Sequence, residues 1–174
     1  YGIICPKVNS VDDALRFVEY ASYPPMGGRS YGPIRANVYG GRPYPANANE
    51  TIIRMAMIET RQALEVCEEI AGVDGIDALY IGPSDLASSL GYKPGQDQRE
   101  PEVVAAMERI LAAGKAAGKP VGCHNGSAAY AREMIDKGFQ FVTVGSDAIF
   151  IAQGAASVVN DLKSEALTGA GTSY

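Results

Sequence analysis

Two acidic residues stand at places where a carboxylate is costly unless it has work to do. Glu59 closes the run "TIIRMAMIE", and Asp85 follows "YIGPS". Each sits where a buried apolar strand hands over to a helix. In parallel α/β architectures, ligands bind beyond the carboxyl ends of the strands. The two acids are 26 residues apart, about one strand–helix unit, so adjacent strand ends would bring them into one site. Two carboxylates with few other ligands suit a hard divalent cation, Mg²⁺ or Mn²⁺, that keeps waters and takes substrate oxygens. The plainer alternative is a helix N-cap for Asp85 and a strand-end ion pair for Glu59. The backbone amides around Ser84, at the start of the helix after "GPSD", point at the same space and could orient an anionic group.

Strand parity sharpens this reading. Along 51–59, Ile53, Met55, Met57 and Glu59 share one face, and Arg54, Ala56 and Ile58 the other. Glu59 therefore continues an apolar row that would face an interior. Burying it there demands a counter-charge or a metal.

The positioning elements come from the rest of the chain. A β-branched run at 2–6 is followed by a helix at 10–21, capped by Ser10 with Asp13 three residues on. Residues 23–50 hold most of the prolines and read as a long loop with room for a short helix, of the kind that serves function or an interface. Strands follow at 51–59, 76–82, 120–125 and 139–147. Helices follow at 60–72, 84–91, 101–118, 127–138 and 148–163. The small, polar residues from 164 onward are expected to be a loose or partner-held tail. Strand and helix alternate five times, which implies a parallel sheet with right-handed crossovers. An open doubly wound sheet and part of an eight-fold β/α barrel both fit. No Gly-x-Gly-x-x-Gly or Walker-type loop occurs, which weakens a nucleotide-binding open sheet.

Bulk properties narrow the function. A formal charge of −5 over 174 residues disfavours a nucleic-acid or anionic-membrane surface. No run reaches the ~18 apolar residues of a membrane span. The first residues lack a signal-peptide pattern and an initiator Met, which suggests a fragment or a processed chain. Cys5, Cys67 and Cys123 are odd in number and far apart, as expected of reduced thiols in a cytoplasmic protein rather than a zinc site.

Taken together, "GIICPKVNSVDDA", "YPPMGGRSYGP", "MIET", "GVDGIDALYIGPSDLASSLG" and "GFQFVTVGSD" resemble the hydroxy-ketoacid aldolase/citrate lyase β-subunit family, which includes 4-hydroxy-2-oxoheptanedioate aldolases and the fungal macrophomate synthase. The resemblance covers roughly residues 1–160. It implies a (β/α)8 TIM barrel of the phosphoenolpyruvate/pyruvate type, of which this chain supplies about strands four to eight. It also implies that Glu59 and Asp85 hold Mg²⁺ or Mn²⁺ and that the Ser84 amide meets a substrate carboxylate. The substrate it implies is a small 2-keto acid. The expected reaction is retro-aldol cleavage of a 4-hydroxy-2-oxo acid to pyruvate and an aldehyde, in a homo-oligomer. Oxaloacetate decarboxylation with enolate trapping is the alternative, with a coenzyme A thioester lyase third. A general-base His and a substrate Arg are expected outside this sequence, so residues 1–174 alone are expected to be inactive. A truncated barrel surviving as a structural or binding protein is the reading from another class.

Met57 departs from the family pattern, which usually places a Gln two residues before the metal Glu. His124, the sole histidine, ends the strand "PVGCH" and is either a hydrogen-bonded structural residue or a site residue. Arg29 is expected to serve structure or an interface, and Asp147 to cap the last helix. Lys7 is the one lysine near a strand end, but the carboxylate pair argues against Schiff-base chemistry. Met55, Met57 and Val142 are expected to form an inner apolar row.

Overall fold

A computed structural model describes the backbone of residues 1–168 and the side chains of residues 1–163. Five strands run in chain order: β1 (Gly2–Cys5), β2 (Ile53–Ile58), β3 (Ala78–Ile81), β4 (Val121–Asn125) and β5 (Phe141–Val144). Every neighbouring pair is parallel, and the order across the sheet is the order along the chain. The helices between them are α1 (Val11–Ala21), α2 (Ile34–Gly40), α3 (Tyr44–Thr51), α4 (Arg61–Glu65), α5 (Cys67–Gly72), α6 (Pro83–Leu90), α7 (Pro101–Ala116), α8 (Ala128–Lys137) and α9 (Asp147–Thr168).

The two sheet faces differ. Ala56, Ile58, Leu79, Ile81, Val121 and Cys123 point outward into one core, beneath residues such as Phe17, Ile70, Leu86, Ile110 and Met134 of the helices. The opposite face carries its own small cluster, Met55, Ala78 and Tyr80, with Ile4 and Met57 against it. No helix residue belongs to that second cluster. A doubly wound sheet would need helices on both faces and a reversal of strand order. Among the described residues this sheet has neither, and it is a curled, parallel half-barrel.

Caps set the helix starts. Ser10, Thr60 and Ser127 each accept a hydrogen bond from the amide three residues on. Gly91 and Gly138 close α6 and α8 in the left-handed conformation.

Four local readings change. The stretch 23–50 holds two helices, α2 and α3, rather than mostly loop. The helix expected over 60–72 breaks at Val66, whose φ of −123° and ψ of 24° interrupt the helical run. Val142 faces the outer core, not the inner row, because it pairs with Cys123; Phe141 and Thr143 take the inner side. The last helix runs on to Thr168, into the expected tail, and what remains of that tail lies outside the described residues.

Buried Arg54 explains how residues 23–50 attach. Its guanidinium pairs with Asp77 at 3.0 Å and donates to the Ser22 hydroxyl and the Asn49 carbonyl. A buried charge with this many partners is satisfied rather than stranded. Nearby, Tyr23, Tyr44, Ala48 and Ile52 form a separate apolar cluster.

Gly114 sets the distance between α7 and β4. A Cβ there would lie 2.2 Å from Val121 Cγ2. Alanine gains up to ~1 kcal/mol in helix propensity, but overpacking beside a stiff, buried valine costs about 1–3 kcal/mol. Gly114→Ala is therefore expected to destabilise the full-length protein by up to about 2 kcal/mol in urea denaturation.

Candidate active site

Parity and register bring the site together. Met57, Tyr80, Gly122 and Phe141 lie side by side across β2 to β5 on the inner face. Beyond this row, at the carboxyl ends of the strands, a concavity is lined by Ile4, Met57, Glu59, Tyr80, Gly82, Ser84, Asp85, Gln96 and His124. The sequence-derived candidates Met57, Glu59, Ser84, Asp85 and His124 thus share one cavity wall. A larger groove, along β1 and α1, contains neither carboxylate.

The two acids are unequal. Glu59 has its side chain 5% exposed, whereas that of Asp85 is 57% exposed. Glu59 fits at the strand end because Gly82 has no side chain: a Cβ there would come within 2.6 Å of Glu59 Oε2 and 3.2 Å of Met57 Sδ. Glu59 Oε1 accepts the backbone amide of Lys7 at 2.8 Å. Asp85 lies in the first turn of α6, where Gly82 is the N-cap and Pro83 opens the helix. Asp85 is not the N-cap residue. A carboxylate in a first turn is favoured by the helix dipole, and here Asp85 reaches across to Lys7.

The Lys7 ammonium contacts both acids, at 2.8 Å from Asp85 Oδ1 and 3.9 Å from Glu59 Oε1. The ion-pair alternative raised by the sequence is therefore present, with Lys7 as the shared partner. The same geometry shows that one positive centre reaches both carboxylates. Two anionic oxygen donors beside an open cavity fit a hard divalent ion that keeps waters. Among the described residues, no third His, Cys, Asp or Glu joins the pair in a metal-sized cluster. The hydrogen bond to Asp85 holds the Lys7 amine above its ordinary range, so it stays protonated and is a poor Schiff-base nucleophile.

His124 lies on the inner face of β4, and its Nδ1 is 2.8 Å from the Thr143 hydroxyl. The same hydroxyl is 2.6 Å from Tyr80 Oη. The histidine is thus both hydrogen-bonded and part of the cavity wall. Burial pushes the Tyr80 phenol up, so it stays neutral. Gln96, on the loop between α6 and α7, also lines the cavity. The sequence reading missed it, since it belongs to no periodic element.

Other candidates lie elsewhere. Arg29 stacks on Tyr23, 4.5 Å from the ring centroid, and donates to Tyr44 Oη. Asp147 opens α9 and accepts the Ala148 amide. Cys67 and Cys123 are buried, with thiols pushed up to about 12 and about 11 mainly by burial, so they are not nucleophiles.

Residues 1–153 match the family model described as HpcH/HpaI aldolase/citrate lyase. A hydroxypyruvate/pyruvate aldolase of Rhizorhabdus wittichii is 44% identical over 163 residues, covering 94% of this chain and 65% of that protein. A 4-hydroxy-2-oxo-heptane-1,7-dioate aldolase of Salmonella paratyphi B is 35% identical over 176 residues, covering 99% of this chain and 66% of that one. Among solved structures, a HpcH/HpaI aldolase/citrate lyase family protein from Burkholderia cenocepacia superposes with a TM-score of 0.80 at 32% identity. That superposition covers 93% of this chain and 64% of the other. The chain thus spans about two thirds of the length of these relatives.

Thr143 ties two cavity side chains together. Thr143→Val keeps the shape and removes both hydrogen bonds, leaving Tyr80 Oη short of a partner. The expected cost is about 1–3 kcal/mol, measured by urea denaturation of the full-length protein.

Proposed function

The chain belongs to the HpcH/HpaI aldolase/citrate lyase family, and on that premise we propose that the protein is a divalent-metal-dependent carbon–carbon lyase acting on 2-keto acids. The single observation that carries this reading is the cation position shared by Glu59 and Asp85 at adjacent strand ends. The full fold in this reading is a (β/α)8 barrel, with β1 to β5 as its strands four to eight. The family relatives named for hydroxypyruvate, pyruvate and 4-hydroxy-2-oxo acids support retro-aldol cleavage that releases pyruvate and an aldehyde.

Glu59 and Asp85 would hold Mg²⁺ or Mn²⁺. When bound, the cation supplies Lewis-acid stabilisation of the negative charge that develops on the pyruvate fragment as its carbon–carbon bond breaks. The remaining work belongs to the chain's own residues. The Ser84 and Asp85 amides, in the first turn of α6, face no intrahelical acceptor and orient the substrate carboxylate. Tyr80 and Met57 wall the apolar side of the cavity. The proton on the cleaved hydroxyl needs a base. His124 borders the cavity with its Nδ1 against the Thr143 hydroxyl, and the base in this reading is a water or a group beyond these residues.

Association with further copies of the chain is part of this proposal. On α9, Phe150 is 58%, Ile151 73%, Val158 60% and Leu162 63% exposed, an apolar load that solvent does not favour. No helix among the described residues is long and apolar enough to cross a membrane. The acidic balance disfavours nucleic acid as a partner. Free cysteines support a cytoplasmic site of action.

Met57 supports a second reading. A thioether borders the cavity beside Glu59 where a carboxamide would recognise a hydroxyl. Oxaloacetate decarboxylation with enolate trapping involves no such hydroxyl in its first step.

In the full-length protein, Glu59→Gln and Asp85→Asn should each lower Mg²⁺- or Mn²⁺-dependent cleavage at least ~100-fold, with an unchanged circular dichroism spectrum. Undiminished turnover in either variant at saturating metal would remove that residue from the site. Met57→Gln should alter the kcat/KM for retro-aldol cleavage more than that for oxaloacetate decarboxylation. Equal changes in both would take Met57 out of substrate selection.

A further inference from the structure

Lys7 is held in an unusual way. Its φ of 55° is the only positive φ at a non-glycine residue among the described residues. Side chains larger than hydrogen crowd the backbone there, and such strain persists when surrounding contacts over-determine it. Here the contacts are on both sides of the residue. The Lys7 amide donates to Glu59 Oε1, and the Lys7 ammonium donates to Asp85 Oδ1. Two links therefore run from one residue, at the end of β1, to the two acids at the ends of β2 and β3.

We propose that the Lys7 ammonium is the built-in counter-ion of the Glu59–Asp85 pair, occupying the cation position until a divalent ion displaces it, so that Lys7 sets the metal affinity of the site. This inference rests on the reading of the two acids as metal ligands. The chemistry favours exchange over coexistence. A monovalent ammonium 2.8 Å from one acid and 3.9 Å from the other pairs fully with only one of them. A divalent ion brings twice the charge and would be held by Glu59 and Asp85 together. The ammonium keeps its three protons and leaves on a flexible four-carbon stem, and with its side chain 52% exposed, water is at hand to receive it. The amide contact to Glu59 does not depend on the side chain, so Glu59 stays in place through the exchange.

The test is a Mn²⁺ titration of the full-length protein, with free Mn²⁺ read by electron paramagnetic resonance. Lys7→Asn removes the cation and tolerates the left-handed conformation. It is expected to bind Mn²⁺ about 3- to 10-fold more tightly than the wild type, the range a partly exposed ion pair commands. Lys7→Arg keeps the charge and should bind no more tightly than the wild type. Equal or weaker binding by Lys7→Asn overturns the inference. If Lys7→Asn does not fold in metal-free buffer, refolding with Mn²⁺ should rescue it, because the divalent ion replaces the missing charge; failure of that rescue also overturns it. The reading of the site fails separately. If the wild type binds no Mn²⁺, or if Glu59→Gln and Asp85→Asn bind it as the wild type does, the metal site itself is wrong. If wild-type binding depends on both acids and Lys7→Asn is no tighter, only the role of Lys7 is wrong.

Discussion

Each strand of this sheet has two unlike faces, and the alternation of side chains along it governs what the rest of the chain can do. Ala56 and Ile58 of β2 must lie under helices, because they join the main core with Leu79, Ile81, Val121 and Cys123. Met55 and Met57 then have to point the other way. One residue further on in that second row comes Glu59, so a carboxylate is delivered to the strand end by the requirement that its neighbours be buried. A shift of one residue in register would place Glu59 under helices and an isoleucine in the cavity. The site is therefore a by-product of correct packing.

A buried carboxylate then constrains its surroundings in turn. Glu59 needs a hydrogen-bond donor and a nearby positive charge, and Lys7 gives both, from its amide and its ammonium. It also needs room, which Gly82 leaves by lacking a side chain. The contact between Lys7 and Asp85 joins the ends of β1 and β3 above β2. Three strands that pair only through backbone hydrogen bonds along their length are thus also linked by charge at their carboxyl ends.

Much of this was legible in the sequence. The alternation of apolar runs with helices announced a parallel sheet, and Ser10, read as the cap of the first helix, is used as that cap in the structure. Period-two counting placed Glu59 and Met57 on one face. The failures have physical causes. Helix α2 buries none of its residues and α3 only two, so neither shows a core-facing stripe, and the prolines around them read as loop. The break at Val66 is silent because apolar spacing continues through it. Val142 was assigned to the wrong face because "FQFVTV" is apolar in both parities; only its pairing with Cys123 decides. Lys7 escaped notice as a partner of the acids because its role depends on one left-handed backbone angle and on a contact 78 residues along the chain.

Arg54 and Glu59 occupy opposite ends of the same strand. Arg54 and its partners Asp77, Ser22 and Asn49 fasten the stretch 23–50 at the amino end of β2, while the carboxylates face the carboxyl end. Four strand residues, Met55 to Ile58, stand between the two, and Ala56 and Ile58 have no exposed surface. A change in how the aromatic-rich stretch 23–50 is fastened therefore reaches the two carboxylates only through the length of β2.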